Sequence, residues 1–555
     1  MKNKVFEWLK LNIGKSFWYV LLLSALGMMV SVVELLFVVA SKDLVNAATA
    51  STDSSMMEAA LFLGILLVLC LLINSTVSFV DMWLSAHLER KIKGGIFKRL
   101  LDKDYLSMNN YHTGDILNRI DSDVNVVVSG VVSIIPAFVI FFTLIVGGMI
   151  LLFDIAPYLA LFIIILSPIM AIFARIYSVK YKKLHKAVQR KDSKTKSFLL
   201  EAMQNIPVIK AFDRQKDISS RSYALYDDLY KIKMKRTYLS LIANAGIFLF
   251  FNAGYYLSFA YGVYLINAKV ILFGELVAIL QLVSNIQEPF KSVSALIPQY
   301  FSMIASAERI MEIEQLDDNI KEGNKVSDFE AIVFDNVTFE YDDTDKVENI
   351  SLRIPKGSFA SLIGESGSGK TTIIKLLMGI ITPKSGRIFF ETKDGNIDVR
   401  KGCMGMFSYV PQGNLLFSGT ILDNVTFFDK NPDTKRAEKA LKCADIWEYI
   451  STLDDGLNTY IGENGEGLSE GQAQRIAIAR AIYADTEIVV LDEATSSLDD
   501  KTEMNVLTNI IKENSKTIVA ITHRKAALEI CDINIKLDKK GMQKNSRSQK
   551  GIDYT

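Results

Sequence analysis

Long apolar stretches fill the first 306 residues of this 555-residue chain and constrain its fold more than any other feature. Six of them come close to or exceed the length of about 20 residues that a membrane-spanning helix needs. They are residues 17–40, 59–80, 128–153, 157–174, 237–268 and 274–306. The first five contain one charged residue, Glu34, whereas Glu275, Glu288 and Lys291 interrupt the sixth. The sixth is still counted, because an even number of spans returns the chain to the side where it began.

Positive charge is distributed unevenly among the segments between these spans. Residues 43–58 and 154–156 contain no Lys or Arg, whereas residues 85–125 and 175–236 are rich in both. Because loops rich in Lys and Arg remain in the cytoplasm, this pattern predicts that both termini are cytoplasmic.

The two basic loops are roughly 40 and 60 residues long, and structureless loops of that length are uncommon. Their spacing of apolar residues favours helices that continue out of the bilayer, each pair forming a hairpin with a short turn at its far end. A helical extension of about 20 residues would reach about 30 Å beyond the membrane. The candidate turns are Ser107–Gly114 and Glu201–Phe212. The alternative is that both loops are charged spacers.

Overall charge and cysteine usage exclude several classes of function. The chain has 62 Lys and Arg residues against 62 Asp and Glu residues, so its balance predicts no nucleic-acid partner. Its four cysteines, Cys70, Cys403, Cys443 and Cys531, are far apart and form no CxxC pair. Reduced thiols are therefore expected rather than a zinc site or a disulfide framework.

The later part of the chain contains a glycine-rich phosphate-binding pattern, GxxxxGK[ST]. It follows the apolar run Phe359–Ile363, a predicted strand, and leads into Ile373–Met378, a predicted helix. Glycines let backbone N–H groups close around phosphate oxygens, and the helix N-terminus adds positive potential. Lys370 is expected to reach the β- and γ-phosphates, and the Thr371 hydroxyl is expected to bind Mg²⁺. The candidate nucleotide-binding residues of this loop are Gly364, Glu365, Ser366, Gly367, Ser368, Gly369, Lys370, Thr371 and Thr372.

A second pattern ends a strand in two carboxylates, Asp492 and Glu493, after the apolar residues 488–491. In this interpretation Asp492 orients Mg²⁺ through a water molecule. Glu493 is the general base that polarises water toward the γ-phosphate. The alternative is a strand that simply ends in two solvated acids. The phosphate loop that precedes this strand at the expected distance strongly disfavours that alternative.

A third pattern, Leu468–Gln472 followed by the helical run Ala473–Ile482, resembles the LSGGQ signature of ABC ATPases. Five further matches occur in the expected order: Tyr341 in FEY, Gln412 in SYVPQ, the segment Leu416–Ile421, Asp499 in SLD and His523 after an apolar strand. This ordered set over residues ~330–535 resembles an ABC ATPase domain of the exporter kind. In the membrane half, residues 111–123 and 205–214 resemble the two cytoplasmic loops of such exporters.

The resemblance implies roles for these residues. Tyr341 would stack on adenine, Gln412 would sense Mg²⁺ and the attacking water, and His523 would contact the γ-phosphate. The signature residues would clasp the γ-phosphate of ATP that the Lys370 of a second subunit holds. The nucleotide-binding candidates outside the phosphate loop are Tyr341, Ser469, Gly471, Gln472 and Asp499. Position 470 departs from the commonest signature, which has Gly, and Glu470 is expected to turn toward solvent.

The sequence therefore predicts a multidomain chain in four parts. A membrane domain, residues 1–310, contains six transmembrane helices with long cytoplasmic extensions. A linker, 311–329, leads to an α/β P-loop ATPase domain, 330–542, and a polar tail, 543–555, is predicted to be disordered. The expected cofactors are ATP and Mg²⁺. The expected partners are a second half-transporter and membrane lipids, with a homodimer favoured over a heterodimer.

The function implied is transport driven by ATP hydrolysis at a plasma membrane, of bacterial origin judging from the fused layout. We expect export of a lipid, a peptide or an amphipathic small molecule, although the sequence does not name the cargo. Two alternatives remain: an importer with an exporter fold, for instance for a metal chelate, and an ATP-gated channel or regulator. Intact Glu493 and His523 favour a pump. Glu34, the carboxylate well inside a span, is expected to have either a substrate-facing or a structural role.

Overall fold

The computed structural model describes residues 2–49, 55–111, 113–318, 326, 328–341, 346–402, 405–413, 416–462, 465–512, 516–537 and 543–547. Within these ranges, the side chains at residues 2, 3, 166–175, 291, 293–295, 346, 526 and 543–547 are not described. The chain divides into two compact units. The first comprises Met1–Lys98 and Thr113–Glu314, and the second comprises Arg99–His112 and Gln315–Thr555.

Long α-helices build the first unit. In chain order the helices up to residue 314 are α1 Lys2–Ile13, α2 Phe17–Ala48, α3 Met56–Leu101, α4 Tyr105–Asn109, α5 Thr113–Asn118, α6 Val124–Ile155, α7 Pro157–Gln204, α8 Ile206–Ala211, α9 Gln215–Asn267 and α10 Phe273–Glu314. A 3₁₀ turn, Gly14–Ser16, precedes α2, and a π-helical turn, Arg119–Asp123, precedes α6.

The six predicted spans lie within α2, α3, α6, α7, α9 and α10 to within one residue, which confirms an all-α membrane domain. By length and composition, four described helical runs can cross a membrane: Lys4–Ala48, Met56–Leu101, Thr113–Ile155 and Gln215–Asn267. That α7 and α10 also cross remains a prediction. Helix α3 has 46 residues and α9 has 53, far more than the ~20 that a bilayer requires. The excess forms the predicted extensions, and the short helices α4 and α8 lie at the two predicted turns.

The core of the first unit lies where α2, α6 and α10 pack together. Leu35, Leu144, Ile279 and Ile286 are among its buried side chains. The start of α10 is fixed on α2 by a hydrogen bond of 2.8 Å from the Gly274 backbone N–H to the Asn46 side-chain oxygen. Gly274 is required here, because a Cβ atom at this position would lie 2.1 Å from the Lys42 carbonyl oxygen. This close approach holds the first and last long helices together.

A buried carboxylate ties the π-helical turn to α10. Asp123 accepts hydrogen bonds of 2.9 Å from Ser306 Oγ and from Arg309 Nε. The Asp123 side chain is 4% exposed, whereas the Arg309 side chain is 46% exposed. Because a buried carboxylate requires a partner, Arg309 balances the charge that the π-turn directs into the protein.

Three β-sheets, of six, four and two strands among the described residues, and surrounding helices build the main part of the second unit. Its elements after residue 314 are β1 Ala331–Glu340, β2 Lys346–Pro355, β3 Phe359–Gly364, α11 Lys370–Leu377, β4 Ser385–Thr392, β5 Gly395–Asp398, α12 Val399–Gly402, β6 Phe407–Val410, β7 Gly419–Thr420, α13 Ile421–Thr426, α14 Thr434–Cys443, α15 Trp447–Ser451, β8 Tyr460–Ile461, α16 Glu470–Tyr483, β9 Ile488–Asp492, α17 Asp500–Lys512, β10 Thr517–Ile521, α18 Lys525–Ile530, β11 Ile533–Leu537 and β12 Gln543–Arg547. These elements confirm the predicted α/β domain.

The larger sheet has the strand order β12-β11-β3-β10-β9-β6. Strands β11, β3, β10, β9 and β6 are parallel, and β9 and β10 are buried along their whole length. Such continuous apolar strands are typical of parallel sheets with both faces covered. The four-stranded antiparallel sheet has the order β2-β1-β4-β5, and β7 pairs antiparallel with β8 in a third sheet.

The prediction of a disordered tail is wrong for Gln543–Arg547. These residues form β12, which pairs antiparallel with β11 at the edge of the larger sheet. Pairing uses backbone groups, so a polar sequence without an apolar pattern can still complete an open edge. The remainder of the predicted tail, 548–555, lies outside the described residues, as does Cys403. The three described cysteines, Cys70, Cys443 and Cys531, are outside disulfide bonds.

We expect Arg309→Met to destabilise the first unit, because Asp123 would remain buried without a cationic partner. The cost should be about 3 kcal/mol, the lower end for a broken buried pair, since solvent reaches Arg309. Thermal unfolding of the detergent-solubilised chain measures this. Arg214→Met is the matched control, because its pair with Asp217 is exposed on both sides and should contribute under about 1 kcal/mol. Equal melting temperatures for the two variants would contradict the assignment.

Candidate nucleotide site

The glycine-rich loop joins the end of β3 to the start of α11. Gly367 and Gly369 have φ angles of +81° and +89°, a backbone conformation that favours glycine. A Cβ atom at Gly369 would also lie 2.4 Å from Val347 Cγ2. The loop therefore curls back before α11 begins at Lys370, and the first backbone N–H groups of the helix lie at its mouth.

Among the described residues, the Lys370 ammonium group has hydrogen-bond partners only within this loop, and the Ser368 hydroxyl has none. Lys370 Nζ donates hydrogen bonds to the carbonyl oxygens of Gly364, at 2.7 Å, and Glu365, at 2.9 Å. The Ser368 hydroxyl is buried and has no hydrogen-bond partner among the described residues. Buried polar groups are almost always paired, so this loop fits an anionic ligand with several oxygen acceptors. Glu365, Ser366 and Gly367 are exposed on the loop, while Thr371 and Thr372 are half-buried in the first turn of α11.

Asp492 ends β9 beside the first turn of α11. Its buried carboxylate accepts a hydrogen bond of 3.1 Å from the Tyr409 hydroxyl, and the Thr371 side chain lies beside it. Burial raises the pKa of Asp492, and the nearby hydroxyl groups of Tyr409 and Thr371 oppose that rise. Burial and the neighbouring Asp492 charge raise the pKa of the Tyr409 phenol, so Tyr409 remains a donor.

Glu493, the next residue, lies beyond the strand and has a φ of +50°. This left-handed conformation costs a residue with a side chain about 1–3 kcal/mol, and it requires support from surrounding contacts. The support comes from hydrogen bonds of the Glu493 backbone N–H to the Ile521 carbonyl, 3.2 Å, and of Gln474 Nε2 to the Glu493 carbonyl, 3.3 Å. Gln412 Nε2 donates to Glu493 Oε2 at 2.7 Å. Two of the predicted catalytic residues are therefore in direct contact.

His523 follows the neighbouring strand to the same edge of the sheet. Strand β10 pairs in parallel with β9, with Ile521 opposite Asp492, and His523 comes two residues later in an exposed position. Tyr341 lies beyond β1 with its ring 43% exposed and in edge contact with Phe339, 4.8 Å between ring centroids. Asp499 instead caps α17 through hydrogen bonds of 2.8 Å from the backbone N–H and the hydroxyl of Thr502.

The signature residues begin helix α16. Ser469 is its N-cap, and its backbone N–H donates to Gln472 Oε1 at 2.8 Å in a reciprocal capping box. A Cβ atom at Gly471 would lie 3.3 Å from the Ser497 carbonyl oxygen, so this end of α16 packs on the loop after Glu493. Glu470 is exposed, as expected, in the first turn, where a negative charge is favourable. The described hydrogen bonds of Ser469 and Gln472 run to each other and not to the phosphate loop.

Sequence reasoning missed a network that joins the segments after Glu493 and after His523. The Glu503 side chain is fully buried and accepts from Thr495 Oγ1 at 2.6 Å and Arg524 Nη1 at 3.4 Å. Arg524 Nη2 also donates to the Ser496 carbonyl at 2.8 Å. Two features of the sequence could have revealed it. Glu503 is spaced to face inward among the apolar residues of α17, and a cation, Arg524, directly follows His523.

Helix α4, at the predicted turn of the first cytoplasmic loop, belongs to this unit. Lys375 Nζ of α11 lies 4.9 Å from the centroid of the Tyr105 ring, a cation–π contact. Leu106 packs on the apolar core that includes Ile374 and Leu377 of the same helix. The turn therefore contacts the helix that carries Lys370 at its N-terminus.

Comparisons with known proteins agree with this geometry. A family model described as the ABC transporter transmembrane region matches residues 17–290, and one described as ABC transporter matches residues 347–496. A Rickettsia prowazekii protein, named as an export ATP-binding/permease protein, is 30% identical over 512 residues, which cover 86% of this chain and 85% of that protein. The chain belongs to the ABC transporter family.

Two further matches describe the kind of ABC transporter that it resembles. The ATP-dependent lipid A-core flippase of Photorhabdus laumondii is 28% identical, over 82% of this chain and 79% of the flippase. A bacterial Atm1-family ABC exporter solved with ATP bound shares the fold, with a TM-score of 0.77, 22% identity and coverage of 96% of this chain and 95% of that one. This ABC transporter therefore binds ATP and couples ATP hydrolysis to export across a membrane.

We expect Arg524→Met to lower kcat for ATP hydrolysis about tenfold, which corresponds to about 1.4 kcal/mol. The loop after Glu493 would lose its tie to the His523 segment, and Glu503 would be buried without a cation. ATPase assays and thermal unfolding on the full chain measure both effects, and Arg524→Met combined with Glu503→Met should recover melting temperature but not kcat. Arg387→Met, whose pair with Asp335 is exposed, is the control. An unchanged kcat in Arg524→Met would refute this role.

Proposed function

We propose that two copies of this chain form a homodimeric exporter of a lipid, a peptide or an amphipathic small molecule. The dimer lies in a bacterial plasma membrane with both termini in the cytoplasm, as the loop charges predict. The observation that carries the proposal is the contact of Gln412 with Glu493 beside the phosphate loop. One chain thus supplies every catalytic group, and two identical chains are sufficient.

The residues of the phosphate loop fit ATP with Mg²⁺. Lys370 can exchange its hydrogen bonds to loop carbonyl groups for bonds to phosphate oxygens, and the unpaired Ser368 hydroxyl can donate to the same oxygens. The Tyr341 ring is exposed, so adenine can stack on it. Thr371 and Gln412 would hold Mg²⁺ directly, and Asp492 would hold it through water. Among the described residues no cluster of three or more His, Cys, Asp or Glu side chains could hold a metal. This agrees with a Mg²⁺ ion that relies on hydroxyl, amide, phosphate and water oxygens.

When bound, Mg²⁺ would neutralise charge on the phosphates. The work of the protein is to orient water and accept its proton. Glu493 is the general base, and its left-handed backbone directs the carboxylate away from the strand. Gln412 hydrogen-bonds one carboxylate oxygen and leaves the other for water. His523, at the end of the neighbouring strand, donates to the γ-phosphate.

The second subunit completes the site. Ser469, Gly471 and Gln472 lie at the start of α16, where backbone N–H groups and the positive end of the helix dipole favour a phosphate. A partner's signature would therefore close on ATP held by Lys370, and Asp499 lies in the adjoining segment. Closure would move α4 through its contacts with α11, and alternating access would follow as ATP selects one of two states of the membrane helices.

We expect Glu493→Gln to abolish turnover while ATP binding persists. Loss of a general base lowers kcat by about 10²–10⁴-fold, whereas the phosphate loop is untouched. Phosphate release and binding of a fluorescent ATP analogue measure the two properties. Glu487→Gln is the matched control, since Glu487 precedes the same strand at its opposite end and lies 4.0 Å from Lys356. Sustained hydrolysis by Glu493→Gln would overturn the assignment.

A further inference from the structure

A cavity of about 1120 Å³ lies within the first unit, among α2, α3, α9 and α10. It exceeds the roughly 300–1,000 Å³ of pockets that hold drug-sized ligands. Its walls are mainly apolar, with Phe37, Leu67, Leu71 and Leu280 among the lining residues. The cavity therefore suits a molecule with a sizeable apolar body.

Glu34 is the one charged residue among the described residues that line this cavity. It is exposed, and in the described part of the chain no hydrogen bond or ion pair reaches its carboxylate. A carboxylate within a membrane-spanning helix is costly unless it finds a partner or water. In the described lining there is no Lys or Arg that could supply one.

The polar groups that line the cavity with Glu34 come mainly from α3 and α10. Gln281 Oε1 is buried and has no partner among the described residues. Asn74 Nδ2 donates to the Cys70 carbonyl at 3.0 Å, and the Ser75 hydroxyl donates to the Leu71 carbonyl at 2.8 Å. Two donors of α3 are thus engaged inside the helix, and the Glu34 carboxylate is the charged acceptor that the described lining offers to the cavity. Such a surface favours a ligand that donates hydrogen bonds and carries positive charge.

We propose that this cavity takes an organic cation, with an ammonium or amidinium-type head that donates hydrogen bonds and an apolar body. Glu34 pairs with the charge and accepts hydrogen bonds from the head group. The cavity disfavours carboxylates and phosphates, because Glu34 repels them in an apolar surrounding. The assignment rests on the proposed export function and narrows its cargo to cationic amphiphiles.

Two fluorescent dyes of similar tricyclic shape test the charge preference: rhodamine 123, a cation with N–H donors, and fluorescein, an anion. Fluorescence anisotropy gives their dissociation constants for the full-length protein in lipid nanodiscs without nucleotide. We expect rhodamine 123 to bind at least about tenfold tighter than fluorescein. Equal or tighter binding of fluorescein overturns the proposal.

Variants assign the preference to the cavity. Glu34→Gln should raise the dissociation constant for rhodamine 123 about tenfold, and Glu34→Asp, which keeps the charge, should change it less than about threefold. Asp154→Asn, at an exposed carboxylate in the last turn of α6, is the matched control and should have no effect. Wild-type affinity in Glu34→Gln would refute the role of Glu34.

ATP hydrolysis measured without dye separates this proposal from the proposed function. If wild-type protein hydrolyses ATP and moves fluorescein but not rhodamine 123 into inside-out vesicles, export stands and the cationic assignment is wrong. If it hydrolyses no ATP at all, the exporter itself is refuted whatever dye binds. Hydrolysis together with ATP-dependent uptake of rhodamine 123, lost in Glu34→Gln, supports both.

Discussion

The parallel pairing of β3, β10, β9 and β6 places the carboxyl ends of four strands at one edge of a buried sheet. Each strand delivers one part of the nucleotide site to that edge. Strand β3 leads into the phosphate loop, β9 ends at Asp492, β6 precedes Gln412 and β10 precedes His523. Ligands bind outside the carboxyl ends of strands in such sheets, because loops and helix N-termini converge there. The register of the sheet therefore determines which side chains meet at the candidate nucleotide site.

The same arrangement supports the proposal that two chains form each ATP site. The start of α16 forms its own capping box, and its first turn packs against the loop that follows Glu493. The phosphate loop meanwhile satisfies Lys370 with its own carbonyl groups. The starts of α11 and α16 are both helix N-termini, which favour phosphate, and the Ser368 hydroxyl has no partner among the described residues. In the proposed dimer, a second chain would bring the matching half of each site.

Much of the fold and site could be predicted because the information is local. Apolar runs specify long helices, and Gly367, Gly369 and Lys370 at fixed spacing specify a phosphate loop. The remainder depends on contacts between distant segments. No local pattern indicates that Tyr409 donates to Asp492 or that Gln543–Arg547 pair with β11. The cavity beside Glu34 likewise required four helices to be brought together in space.

The central claim is that each ATP lies between the Lys370 of one protomer and the Ser469 of the other. Chains carrying Lys370→Ala and chains carrying Ser469→Asp, which keeps an N-cap acceptor but repels phosphate, should each be inactive alone. Each mixed dimer would contain one intact site, so a co-assembled equal mixture should recover about a quarter of the wild-type ATPase rate if the two sites act independently. A mixture as inactive as its parts, with mixed dimers verified by two affinity tags, would contradict the shared site.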